Sequence, residues 1–216
     1  MSSVKETDRL IRDLAHELAT RRGRTAPPLL RRLLFVAAQS LAIAIALVFL
    51  LYGVSPELMV TVRSAPFHHK SACTLALACG GFFLVREAAR PEGKMERLLV
   101  ALLPGLALLA LGGATDASGL RTLGLSGVAF PNCIGSIVLV SLPALAMIVG
   151  TLRTGAPTRP IMAGAAAGLL AGALGAAAYG FACKQDGGLY VAIWYSAGML
   201  IVAGLGALWG RRALAW

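Results

Sequence analysis

Six apolar stretches without a charged side chain run through this chain, at residues 33–54, 71–85, 98–115, 132–151, 161–183 and 187–210. A helix rises about 1.5 Å per residue, so about 20 residues cross a hydrocarbon core of about 30 Å. Five of the stretches reach or approach that length. Residues 71–85 are the short one, and need His68 and His69 near the interface or a locally thin bilayer. The pattern predicts an all-α, polytopic integral membrane protein with six transmembrane helices. Only 14% of residues are charged, against roughly 25% in a soluble domain. The first stretch is too long for a signal-peptide core and more spans follow, so it reads as an anchor. The 25 glycines suit close helix packing in lipid, where small residues let backbones approach.

The loops orient these spans. Sixteen of the twenty Lys and Arg residues fall in the N-terminal segment, the second and fourth loops and the C-terminal tail; Arg63, Lys70, Arg121 and Lys184 fall on the other side. That asymmetry places both termini in the cytoplasm. The net charge of +10 is then mostly topology and contact with anionic lipid. Direct nucleic-acid binding is not expected, because no folded basic module exists to carry it.

Ionisable residues inside spans usually mark ion or proton pathways. No stretch holds Lys, Arg, Asp or Glu in its interior. Pro104 and Pro143 interrupt the third and fourth helices, which membrane helices tolerate. Gly164, Gly168 and Gly172 form a small-residue stripe that reads as packing within the molecule ahead of a homodimer seam. Nucleotide loops, HExxH and GxSxG are missing, and Ser141 and Ser196 lack an obvious base. No cofactor is expected. His68 and His69 read as interfacial.

The N-terminal segment carries a second signal. Thr7 can cap a helix over residues 7–20. Val4, Ile11, Leu14 and Leu18, widened by Leu10 and Ala15, make one apolar face. Arg9, Arg12, Asp13, His16 and Glu17 line the other. So short a helix is marginal alone and must bury its stripe on lipid, on its own spans or on a partner. Asp8, Asp13 and Glu17 among the arginines argue against a purely membrane-lying helix, and helix-in-groove binding fits the pattern. Residues 21–28 read as a linker.

Four cysteines remain. Cys133 at the start of the fourth span and Cys183 at the end of the fifth lie on the outward, oxidising side. They could form a bridge if their Cα atoms come within about 7 Å, or stay a thiol pair open to soft metals or oxidants. Lys184 beside Cys183 favours its thiolate. Unrelated thiols at span ends are the alternative. Cys73 lies about one turn into the second stretch, and Cys79 reads as a small buried hydrophobe.

Several of these segments are similar to one family. Residues 7–14, Arg31 and Arg32, the 155–160 loop (GAPTRP) and residues 194–198 (WYSAG) resemble the NrsF-type family of six-span bacterial inner-membrane anti-sigma factors. The resemblance implies that the N-terminal segment holds an extracytoplasmic-function sigma factor at the membrane. Leu10, Ile11, Leu14 and Leu18 would give apolar contact, and Asp8, Arg9, Arg12 and Asp13 charge complementarity. It also implies that Cys133 and Cys183 sense an oxidant or heavy metal under stress and release the sigma factor. Coupling of that kind needs two states that the signal binds differently.

The expected organisation is a cytoplasmic binding helix and linker at 1–32, a six-helix membrane domain at 33–210 and a short cytoplasmic tail at 211–216. The function is regulatory binding without catalysis, with a sigma factor and the lipid bilayer as partners and homo-oligomerisation left open. A small transporter or channel subunit is the alternative, and would need polar groups along a membrane path. A thiol oxidoreductase would want a CxxC pair or a quinone site, and neither is visible.

Overall fold

The second apolar stretch, the short one by sequence, lies in one of the longest helices of the structure. In this computed structural model, which describes residues 7–9, 11–13, 29–90, 99–116, 129–155, 157–185 and 187–214 (backbone only at 129–131), regular structure is helical throughout the described residues. The chain divides into two units, Met1–Arg32 and Leu33–Trp216. In the first, Thr7–Arg9 and Ile11–Asp13 are helical and exposed, and Arg12 Nε donates to the Asp8 carbonyl at 3.2 Å. Leu10, Leu14, Leu18 and the 21–28 linker lie outside the described residues.

Helix α1 spans Leu29–Tyr52, and the short α2 spans Leu58–Arg63. Helix α3 runs 24 residues, Ala65–Ala88. Ser64 starts it: its Oγ accepts from the Phe67 amide at 3.3 Å, and Pro66 occupies the first turn. A capping serine followed by proline is a strong start signal whatever the hydropathy of the turn it opens. The helix is therefore long enough to cross a bilayer without local thinning, and its added turns take in Lys70, which is buried. Both points correct the sequence expectation. Replacing Ser64 with Ala is expected to lower stability by about 1 kcal/mol, read as a lower unfolding temperature of the purified protein in detergent.

Helix α4, Leu99–Ala114, opens as a 3-10 turn over Leu99–Leu102 and becomes α-helical at Leu103. Pro104 sits in that first α turn, where its missing N–H costs nothing, so it does not interrupt the helix interior. Helix α5 is Ala129–Leu152 with Pro143 inside it, α6 is Pro160–Tyr179, and α7 is Gly188–Ala213. Five helices (α1, α3, α5, α6 and α7) are long and apolar enough to span a membrane; α4 is shorter.

Helix α6 is the centre of the second unit. Of its most apolar 18-residue window 78% is buried, against 22% for α1 at the periphery. It is apolar all round, as a helix enclosed by others must be. Helices α3, α5 and α7 pack on it, and α4 packs on α3. Helix α1 joins through Ala44 and Val48, which meet Val140 of α5 and Ala178 of α6.

The glycine stripe is the α6–α7 seam. A Cβ on Gly168 would lie 2.7 Å from Ala203 Cα, one on Gly206 2.9 Å from Gly168 Cα, and one on Gly210 2.6 Å from the Pro160 carbonyl oxygen. The backbones touch because no side chain separates them. The stripe packs within the molecule, as its spacing suggested.

At one end of the bundle Arg153 Nε donates to the Ala213 carbonyl at 3.1 Å, tying the α5–α6 loop to the C-terminus of α7. Gly155 lies against Ala89, just past α3. At the other end the Asp116 carboxylate accepts from the Leu189 amide at 2.8 Å and caps the start of α7. His69 packs its ring on Gly112 there, with its Nε2 3.5 Å from Cys73 Sγ.

Candidate functional site

The polar chemistry of the second unit gathers at this latter end, where Cys133 and Cys183 meet. Cys133 lies in the first turns of α5, and Cys183 follows the turn that ends α6. Both are free thiols and both are buried, 1% and 5% exposed. The two thiols lie close to each other, and Cys183 Sγ donates to the Gln185 carbonyl at 3.9 Å. Burial works against a Cys183 thiolate, and the positive charge of Lys70 beside it works in its favour.

Lys70 reaches this site from α3. Its Nζ donates to the Cys183 carbonyl at 3.3 Å, and the side chain is 2% exposed. An ammonium group so enclosed is costly unless it has acceptors and a nearby negative charge. The carbonyl supplies the first, and a Cys183 thiolate would supply the second.

Four tyrosines close the cluster. Tyr179 packs against Tyr52 and Tyr195, with ring centroids 5.9 and 6.2 Å away. The Tyr52 hydroxyl is hydrogen-bonded to Ser136 Oγ, which also donates to the Asn132 carbonyl. Tyr190 bears on Cys133 and Tyr195 on Cys183. The Tyr195 hydroxyl is fully buried and has no partner in hydrogen-bonding geometry among the described residues. Tyr190 and Tyr195 are both buried because residues 191–195 form a π-helical turn. At 3.6 residues per turn, positions five apart would diverge by about 140°. The wider π turn returns them toward one face, and such turns often lie at functional sites.

Of the sequence-derived site residues, the structure brings Cys133 and Cys183 together. Among the described residues no group of three or more His, Cys, Asp or Glu could hold a metal ion. Asp8, Arg9, Ile11, Arg12 and Asp13 lie in the exposed helical segment of the first unit, with Ile11 58% exposed. Cys79 is exposed rather than buried, because α3 turns its Cys73 face inward. Cys73 and Cys79 stand six residues apart, about 240° around a helix, so they cannot share a face. Sequence reasoning missed Lys70, Ser136 and the tyrosines. Tyrosines in apolar spans are a usable signal, since a buried phenol seeks a partner.

The fold and the cluster define a helical protein of membrane-spanning dimensions whose chemical centre is a buried thiol pair. The chain belongs to the NrsF family, described as negative regulator of sigma F, which matches residues 18–216. It is 34% identical to the probable anti-sigma-F factor NrsF of Azospira oryzae, over 94% of this chain and 98% of that one. It is 33% identical to the anti-sigma-F factor NrsF of Caulobacter vibrioides, over 97% of this chain and 99% of that one. No solved structure matches. The family is one of negative regulators, not of enzymes.

Proposed function

We propose that the protein is an anti-sigma factor of the bacterial inner membrane, with both termini in the cytoplasm, that holds an extracytoplasmic-function sigma factor through its N-terminal segment. Release follows when Cys133 and Cys183 meet an oxidant or heavy metal on the outer face. Near-full-length similarity to proteins named anti-sigma-F factors carries this reading. Five helices of spanning length support the membrane location; the shorter apolar helix α4 would be the sixth crossing. The end joined by Arg153 and Ala213 also carries Arg86, Arg159, Arg211 and Arg212, as a cytoplasmic face should.

The helical segment around Ile11 supports the binding role, since an exposed isoleucine between Arg9 and Arg12 suits a helix-in-groove contact. Leu10, Leu14 and Leu18 would extend that contact, with Asp8 and Asp13 beside the arginines setting charge complementarity. The test is co-purification from gently solubilised bacterial membranes. The intact protein is expected to bring down a sigma factor, and the Leu10→Asp, Leu14→Asp variant to lose at least tenfold of it, about 1.4 kcal/mol. Absence of any sigma factor at matched expression would overturn the reading. Equal recovery with the variant would move the binding face elsewhere.

A further inference from the structure

The two thiols of the pair are not equivalent. A cavity of about 570 Å³ opens at this end, walled by Tyr52, Glu57, Thr61, Phe181, Cys183 and Lys184 among others. Cys183 forms part of that wall and Cys133 does not. Lys70 is fixed on the backbone of Cys183 from the side of α3. We propose that Cys183 is the nucleophilic thiol, that this cavity is the route by which a hydroperoxide reaches it, that Cys133 is the resolving thiol, and that Lys70 is the positioning residue that keeps Cys183 reactive. The inference rests on the thiol-sensor reading above and adds the order of events and the class of reactant.

The chemistry closes on groups present in the cluster. The Cys183 thiolate attacks the terminal oxygen of the hydroperoxide, the O–O bond breaks, and the departing alkoxide or hydroxide takes a proton. Cys183 becomes a sulfenic acid. The Cys133 sulfur, which lies beside it, attacks it; an S–S bond forms and water leaves with the Cys133 proton. The two thiols lose two electrons and the hydroperoxide is reduced to an alcohol or water. Two paired sulfurs suffice for this chemistry. A closed soft-metal site would want further ligands, and among the described residues no third His, Cys, Asp or Glu joins the pair.

The titratable groups around Cys183 are Lys70 from α3, Cys133 from α5, Tyr179 from α6 and Tyr195 from α7, with Tyr190 beside Cys133 and with Tyr52, Glu57 and Lys184 on the wall of the same cavity. Of the two lysines, Lys70 is the buried one, held on the Cys183 carbonyl. A thiolate stabilised there is attacked by alkylating reagents at lower pH than an ordinary thiol.

The test uses the full-length protein in phospholipid nanodiscs, with iodoacetamide labelling followed site by site by mass spectrometry. Cys183 is expected to label at least about tenfold faster than Cys133 near pH 7. Lys70→Met is expected to slow Cys183 labelling by about the same factor and to raise the midpoint of its pH profile, and Lys70→Arg to restore most of both. A merely structural lysine would change thermal stability and leave the midpoint in place. With hydrogen peroxide, the wild type should give a Cys133–Cys183 disulfide, and Cys133→Ser a sulfenic acid on Cys183 that dimedone traps. Cys183→Ser should give no sulfenic acid on Cys133. Labelling of Cys133 as fast as Cys183, or a sulfenic acid on Cys133 in Cys183→Ser, overturns the assignment of the nucleophile. An unmoved midpoint in Lys70→Met removes Lys70 from the mechanism. Sigma-factor release by the doubly substituted cysteine variant decides the sensor reading separately.

Discussion

Gly206→Leu abolishes accumulation of the folded protein, while Gly204→Leu, two residues away on the same helix, leaves it intact. This pair of outcomes is the largest stability effect expected in the molecule. At Gly206 a Cβ would stand 2.9 Å from Gly168 Cα and 3.0 Å from Gly168 N. Both obstacles are backbone, so no rotamer change can yield. The helices would have to separate, and that would also unseat Gly164 and Gly210, where an added Cβ at Gly164 meets Gly210 Cα at 2.8 Å. Overpacking of an ordinary core costs about 1–3 kcal/mol. A clash against backbone that opens the main seam of the central helix belongs above that range, against a total stability of about 5–15 kcal/mol. Gly204 faces outward with nothing within 4 Å of an added Cβ. Expression, monodispersity after solubilisation and thermal unfolding of the two variants make the comparison. Equal yields would show that the α6–α7 contact is not what holds the bundle.

The second large effect is on signalling. The Cys133→Ser, Cys183→Ser variant is expected to retain its sigma factor at the wild-type level and to stop releasing it under oxidant or heavy-metal stress. Serine is close to cysteine in size and can keep the bond to the Gln185 carbonyl, so the surrounding tyrosines and Lys70 need not move. It cannot form a disulfide or a thiolate. A sigma-dependent reporter in cells should therefore sit at its unstressed level in both conditions, with co-purification of the sigma factor unchanged. Normal induction in the variant would remove the thiols from the sensing role. Constitutive induction would mean that the pair is needed for the holding state itself.

Much of the fold is legible in the chain because the helices are long and apolar. The stretches at 132–151 and 161–183 are close to α5 and α6, since an apolar run of about 20 residues has few ways other than a helix to satisfy its backbone. The Gly164, Gly168, Gly172 spacing announced a close contact, because a repeat of four puts small residues on one helix face. The start of α3 was missed. Lys70 ends an apolar run when hydropathy alone is read, whereas Ser64 and Pro66 govern where the helix begins. Cys79 was misassigned for a related reason: one sequence gives the phase between Cys73 and Cys79 but not which of them turns inward.

The chain by itself determined most of the helices, the small-residue stripe and the placing of Cys133 at the start of one apolar stretch and Cys183 at the end of the next. These follow from local composition and periodicity, which do not depend on what lies across the bundle. The tertiary structure alone decided that α6 is central, that Cys183 and not Cys133 borders a cavity, and that Lys70 is buried on the Cys183 carbonyl from 113 residues away. Those facts depend on which helix faces meet, and burial of a charge is tolerable only where another part of the chain brings the acceptor to it.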